Sequence, residues 1–170
     1  MDCIMGPDNP ETNEERITRL VDTYQISLKR MCTVWLKDAS LAEDAVQEAF
    51  IRAYRALPAF RGECGEKTWL TRIALNVCRN MRRGWWFRHV DRGVDIKLLP
   101  EASVPFEAKD DALIQAVTSL PVTYRELVLL YYFQDMNMGE ISETLNISVS
   151  TVSRRLNAAR RMLRQQLERE

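Results

Sequence analysis

Residues 138–167 read MGEISETLNISVSTVSRRLNAARRMLRQQL. Ile141, Thr144 and Leu145 give a short first helix its buried face. Asn146 stands where the chain must turn sharply, and asparagine tolerates the left-handed conformation better than most non-glycine residues. Ser148 is placed to cap a second helix. On that helix Val152, Leu156, Ala159, Leu163 and Leu167 recur at steps of three and four and are expected to pack inward. The outer face is left with Ser150, Thr151, Ser153, Arg154, Arg155, Asn157, Ala158 and Arg161. Turn, cap and basic face have the spacing of a helix-turn-helix. Short hydroxyl donors and arginines at the front of a helix suit phosphate oxygens and guanine edges in a major groove. Thr151 and Ser153 would position the helix on the backbone, and Arg154 and Arg155 would read or clamp it. A solvated face of an ordinary bundle is the alternative that these residues alone leave open.

Working back toward the N-terminus, the pattern remains helical. Ile17, Leu20, Val21, Tyr24, Leu28, Met31 and Trp35 form the stripe of a long amphipathic helix. Ser40 and Glu43 match a capping box that opens a second helix, with Ala42, Ala45, Val46, Ala49, Phe50, Ala53 and Leu57 inward and Pro58 at its end. The loop AFRGECGEK leads into a third helix over about 66–81, carried by Trp69, Leu70, Ile73, Ala74, Val77 and Cys78. From about Gly84 to Pro105 periodicity fails, which predicts a linker. Ala108, Ala112, Leu113, Ala116, Val117 and Leu120 then form another helix, and Pro121 starts the next. No strand-like alternation appears. The expected fold is all-α: two small helical domains joined by a flexible linker, the C-terminal one containing the helix-turn-helix.

The 170 residues contain 46% hydrophobic and 28% charged side chains, as in a soluble globular chain. No apolar run reaches the roughly 18–20 residues that span a bilayer. The N-terminus MDCIMGPDNPETNEE lacks an apolar signal core, so a cytoplasmic location is expected. Cys3, Cys32, Cys64 and Cys78 form no CxxC pair and His89 is the sole histidine, which argues against zinc. Cys32 and Cys78 read as small core residues, and Cys64 lies in a loop. With no phosphate-cradling glycine loop and no nucleophile–base pairing, neither an enzyme nor a cofactor or small-molecule substrate is expected.

The net charge of zero is unevenly distributed. Residues 61–92 carry eight bases against three acids, and five bases cluster between Arg154 and Arg164. Two basic patches on an otherwise acidic chain point to local anionic contacts. On the second helix, burial of the alanine stripe turns Asp44, Gln47, Glu48 and Ile51 toward solvent, a docking face for a basic partner or a plain solvated face. The third helix presents Lys67, Arg72, Asn76, Arg79, Asn80 and Arg83, with Arg61 in the preceding loop. This basic, amide-rich surface with aromatics nearby suits a single nucleic-acid strand. Trp69 reads as core from its periodicity.

The stretch LAEDAVQEAFIRAYRALPAFRGECGEKTWLTRIALNVCRNMRR closely resembles the second conserved region of extracytoplasmic-function (ECF) sigma factors. LPVTYRELVLLYYFQDMNMGEISETLNISVSTVSRRLNAARRML resembles their fourth region. The resemblance covers roughly residues 12–86 and 107–168, and implies a region 2 domain over 12–86, a linker over 87–106 and a region 4 domain over 107–170. It implies a factor that binds core RNA polymerase and directs initiation, reading −35 duplex and capturing the melted −10 strand. It places Asp44, Gln47 and Glu48 on the clamp helices of the polymerase largest subunit, and the C-terminal domain at the flap region. It also implies an anti-sigma factor, often membrane-linked. Two departures stand out. Asn146 replaces a frequent glycine, and Ala158 replaces a frequent basic residue, so fewer −35 contacts are expected there.

Residues 82–89, RRGWWFRH, follow the strand-binding helix. Arg82 and Arg83 are read as phosphate contacts. For Trp85, Trp86 and Phe87, packing, contact with DNA or polymerase, and membrane contact stay open. The alternative function is a free-standing helix-turn-helix regulator, which would bind duplex tightly without polymerase.

Overall fold

The computed structural model describes residues 11–90 and 111–168, and the side chains of residues 85–90 and 111 lie outside that description. The expectations for Cys3, Ala108, the linker over 91–106, and the rings of Trp85, Trp86 and Phe87 therefore fall outside the described part. What is described is helical, with no strand among the described residues.

Helix α1 (Asn13–Leu36) opens on a capping box in which Thr12 and Glu15 satisfy each other's backbone N–H groups. It closes at Lys37, held left-handed at φ 59°. The next cap is not Ser40. Asp38 is extended and its carboxylate accepts from Leu41 N, opening helix α2 (Ala39–Ala56). The left-handed turn at Lys37 sets the chain direction, so the first capping side chain after it takes the role. A 3₁₀ turn over Leu57–Ala59 contains Pro58. Gly62 then takes a positive φ of 74°, a conformation that costs glycine little, in the loop before helix α3 (Glu66–Val90). Helix α3 therefore continues about two turns past the expected end near Met81, through Gly84 and the aromatic run. An isolated glycine in a helix costs only about 1 kcal/mol, which did not stop it.

The first three helices pack through Leu20, Leu28, Met31 and Cys32 of α1, the alanines 42, 45, 49 and 53 of α2, and Leu70, Ala74 and Cys78 of α3. The small residues of α2 let the helix axes approach closely. Cys32 and Cys78 are fully buried in this core with their sulfurs 3.4 Å apart.

After residue 110 come α4 (Asp111–Ser119), α5 (Val122–Val128), a π-helical turn over Leu129–Phe133, α6 (Met138–Leu145) and α7 (Val149–Leu167). Pro121 is the N-cap of α5. Ala116 and Val117 of α4 and the following Leu120 are buried as expected, but at the start of the helix Ile114 is buried while Ala112 and Leu113 are exposed, Leu113 at 47%. Asn146 is left-handed at φ 53° and ψ 49°, and Ser148 caps α7 by accepting from Thr151 N. Val152, Leu156 and Ala159 are buried as expected, but Leu167, in the last turn of α7, is 42% exposed.

The two helical blocks share one continuous core rather than lying apart. Where they meet, Arg125 reaches from α5 to donate to the carbonyls of Trp35 (3.2 Å) and Leu120 (2.9 Å). Gln134 donates to Ser27 O at 3.0 Å.

Candidate nucleic-acid and polymerase interfaces

Three surfaces contain the residues singled out in the sequence. On α2, Asp44, Gln47 and Ile51 are exposed and Glu48 is half-buried, all on one stripe opposite the alanine face. Ile51 is 46% exposed among these polar neighbours. Glu48 accepts from Arg52 Nε at 2.6 Å one turn on, a surface pair that leaves the acidic character of Asp44 intact.

On α3, Arg72, Asn76, Arg79, Asn80 and Arg83 recur at three- and four-residue spacing, with Asn76, Asn80 and Arg83 exposed. Three cations of this face, Lys67, Arg72 and Arg79, are nonetheless engaged by the C-terminal block. Arg79 makes two bonds to Glu126, Nε to Oε1 at 2.9 Å and Nη2 to Oε2 at 2.8 Å, and the carboxylate holds the guanidinium pKa above its ordinary value. Arg72 donates to Thr144 Oγ1 and Glu143 Oε2, both at 3.1 Å. Lys67 Nζ lies 3.7 Å from Asp135, and Thr68 donates to Glu140 at 2.8 Å. Arg61 is exposed in the loop before α3.

Trp69 is half-buried and stacks on Phe60 with centroids 4.5 Å apart, while Arg16 sits over the Phe60 ring. Arg82 is exposed, and its guanidinium lies over the Trp35 ring at 5.7 Å, beside the junction. There its charge, added to burial, pulls Arg125 down to about 10.

Helix α7 carries an open groove of about 690 Å³ lined by Ser150, Ser153, Arg154, Asn157, Arg160, Arg161 and Arg164. These residues form a single stripe at three- and four-residue steps. Thr151 and Arg155, expected on that face, lie to its side and are half-buried. Thr151 is engaged with the cap, its hydroxyl 2.8 Å from Ser148 Oγ. Arg160 and Arg164 were not singled out in the sequence. Extending the Ser150–Arg154–Asn157 stripe by one and two turns would have found them. Arg160 is held by Tyr132 Oη at 2.7 Å and lies over the rings of Tyr131 and Tyr132.

Sequence comparison matches residues 20–87 to sigma-70 region 2 and residues 110–163 to sigma-70 region 4. The chain is 31% identical over 169 residues to the ECF RNA polymerase sigma factor SigW of Bacillus subtilis, covering 91% of this chain and 90% of that one. It belongs to the ECF sigma factors. It is also 33% identical over 155 residues to the ECF sigma factor SigL of Mycobacterium tuberculosis, covering 88% and 87% of the two chains. Two solved structures share the fold of this sigma factor. One is CnrH in complex with the cytosolic domain of CnrY (TM-score 0.71, 24% identity, 92% of this chain and 90% of that one). The other is RpoE in complex with the anti-sigma factor NepR from Bartonella quintana (TM-score 0.79, 19% identity, 91% and 98%).

Among the described residues of this sigma factor, no group of three or more histidine, cysteine or acidic side chains is placed to hold a metal ion. No helix among them is long and apolar enough to cross a membrane.

Proposed function

We propose that the three surfaces divide the work of a sigma factor among them. The chain directs promoter-specific transcription initiation with core RNA polymerase, as its membership of the family entails. The acidic stripe of Asp44, Gln47, Glu48 and Ile51 docks on the clamp helices of the polymerase largest subunit. Lys67, Arg72, Asn76, Arg79, Asn80 and Arg83 of α3, with Arg61, take the melted −10 strand. The groove of α7 takes −35 duplex through Ser150, Ser153, Arg154 and Asn157, with Thr151 and Arg155 at its margin, and region 4 meets the polymerase flap. The protein does no chemistry of its own and works in the cytoplasm. An anti-sigma factor restrains it, as the likeness to a sigma factor solved with such a partner supports.

The observation that carries this reading is the presence, on one chain, of an acidic helix face, a basic amide-rich helix face and a basic helix-turn-helix groove in the order of regions 2 and 4. The test is run-off transcription with purified core polymerase on DNA from upstream of the chain's own gene. A discrete start is expected, lost when Asp44, Gln47 and Glu48 are changed to alanine. Tight duplex binding with no binding to polymerase would instead identify a free-standing regulator.

A further inference from the structure

We propose that Tyr132 and Arg160 form a phosphate clamp at the far end of the α7 groove, in which the Tyr132 hydroxyl positions the Arg160 guanidinium on a backbone phosphodiester of duplex DNA. The inference deepens the reading of that groove as the duplex-binding surface and rests on it.

Position along the helix decides which part of a duplex Arg160 meets. It lies ten positions past Ser150, about 15 Å along the axis at ~1.5 Å per residue. The major groove is only about 12 Å wide. With Ser150 and Arg154 at the base edges, Arg160 falls beyond them, at the phosphate wall.

The side chain is built for that place. Arg160 Nε donates to Tyr132 Oη at 2.7 Å, and Nη1 donates to Asn157 Oδ1 at 3.3 Å. The guanidinium also lies 5.5 Å from the centroid of the half-buried Tyr131 ring, which packs against the core. An exposed arginine is thus held in one orientation. Its charge stays uncancelled, because no carboxylate among the described residues pairs with it. A guanidinium has more N–H donors than these bonds use. Tyr132, 50% exposed, uses a lone pair on Arg160 and keeps its own proton, which no acceptor among the described residues takes. Phenol and guanidinium therefore offer donors side by side, already ordered, for the oxygens of one phosphate.

The segment that presents Tyr132 is itself irregular. Leu129–Phe133 is π-helical, with Gln134 N donating to Leu129 O at 3.1 Å. Such turns are frequent at functional sites. This one brings two adjacent tyrosines, their rings edge-on at 4.9 Å, to the same guanidinium.

The test is fluorescence anisotropy across a salt series, with the complex of this sigma factor and core polymerase binding a labelled duplex from upstream of the chain's own gene. Arg160→Gln should weaken binding about tenfold and reduce the salt slope by about 1. Tyr132→Phe keeps the ring and removes only the hydroxyl. It should weaken binding about threefold or more in the otherwise unchanged chain, but less than about 1.5-fold once Arg160 is glutamine. Tyr132→Glu supplies a carboxylate partner, so it should reduce the slope as much as Arg160→Gln does while Arg160 is still present, which a loss of packing would not do. Equal losses from Tyr132→Phe with and without Arg160, a loss below about 1.5-fold in both, or a slope unmoved by Arg160→Gln would each overturn the proposal. Failure of the unsubstituted complex to bind the duplex would refute the reading of α7 as a duplex surface, and the clamp with it.

Discussion

The Arg79–Glu126 pair makes a quantitative demand on the stability of this sigma factor. Its two bonds measure 2.9 and 2.8 Å, and each charge-assisted bond contributes about 1.5–3 kcal/mol when shielded. Arg79 is 33% exposed at its side chain, whereas that of Glu126 is 9% exposed, so solvent screening removes part of that sum. A coupling energy of about 1.5–3 kcal/mol is expected from a double-mutant cycle of Arg79→Ala and Glu126→Ala. The two single changes should not cost the same. Arg79→Ala strands a nearly buried carboxylate, for about 3 kcal/mol or more, while Glu126→Ala leaves a guanidinium that can turn toward water, for about 1–2 kcal/mol. The assay is urea unfolding at neutral pH followed by tryptophan fluorescence, since Trp35 is 3% exposed at the junction. A coupling energy below about 0.5 kcal/mol, or a larger loss from Glu126→Ala than from Arg79→Ala, would refute the argument that this pair ties the blocks together.

Other perturbations have equally direct outcomes. Asn146→Ala places a β-carbon residue at φ 53° and should cost about 1 kcal/mol in thermal unfolding, whereas Asn146→Gly should cost under about 0.5 kcal/mol. Hydrogen bonds from Arg19 and Arg16 hold Glu66 down at about 2 against an ordinary 4.5. The stabilisation is therefore full above pH 4.5 and lost as pH falls toward 2, and an acid titration followed by circular dichroism should show it shrink in Arg19→Gln. Changing Arg154 or Arg161 to alanine should lower the salt slope of duplex binding by about 1 for each phosphate no longer neutralised, measured by anisotropy with a short duplex. Arg155→Ala, at the side of the groove, should change that slope less.

What could be read from sequence followed locality. Asn146 and Ser148 are decided by their own backbone and by neighbours within three residues, and the structure has both as expected. The buried stripe of α2 follows from helical period alone. Reading failed where a choice depended on residues distant in sequence. Leu113 and Ile114 are adjacent and equally apolar, and only the placement of the packed helices selects Ile114 for burial. Asp38 and Ser40 are both competent caps, and the left-handed Lys37 selects the first. The junction between blocks was invisible because its partners lie 47, 71 and 107 residues apart, for Arg79–Glu126, Arg72–Glu143 and Gln134–Ser27. One signal was present. Arg125 and Gln134 interrupt the apolar run of α5 and the following turn, and polar side chains at inward positions require partners from elsewhere in the fold.

The same pairings account for how a chain of zero net charge can hold two basic surfaces. On α3, Arg79 and Arg72 are paired across the junction with Glu126 and Glu143, which reduces the net positive charge of that face, while Arg83 stays exposed. The groove of α7 is arranged differently. Arg160 is held by the Tyr132 hydroxyl and by Asn157 Oδ1, and among the described residues Arg154, Arg160, Arg161 and Arg164 form no ion pair with an acid. A hydroxyl and an amide orient a guanidinium without cancelling its charge, so the α7 groove keeps its field while that of the α3 face is reduced. The contact between the blocks therefore weakens the field of the surface suited to a single strand and leaves that of the duplex surface intact, a distinction that residue counts along the sequence could not have drawn.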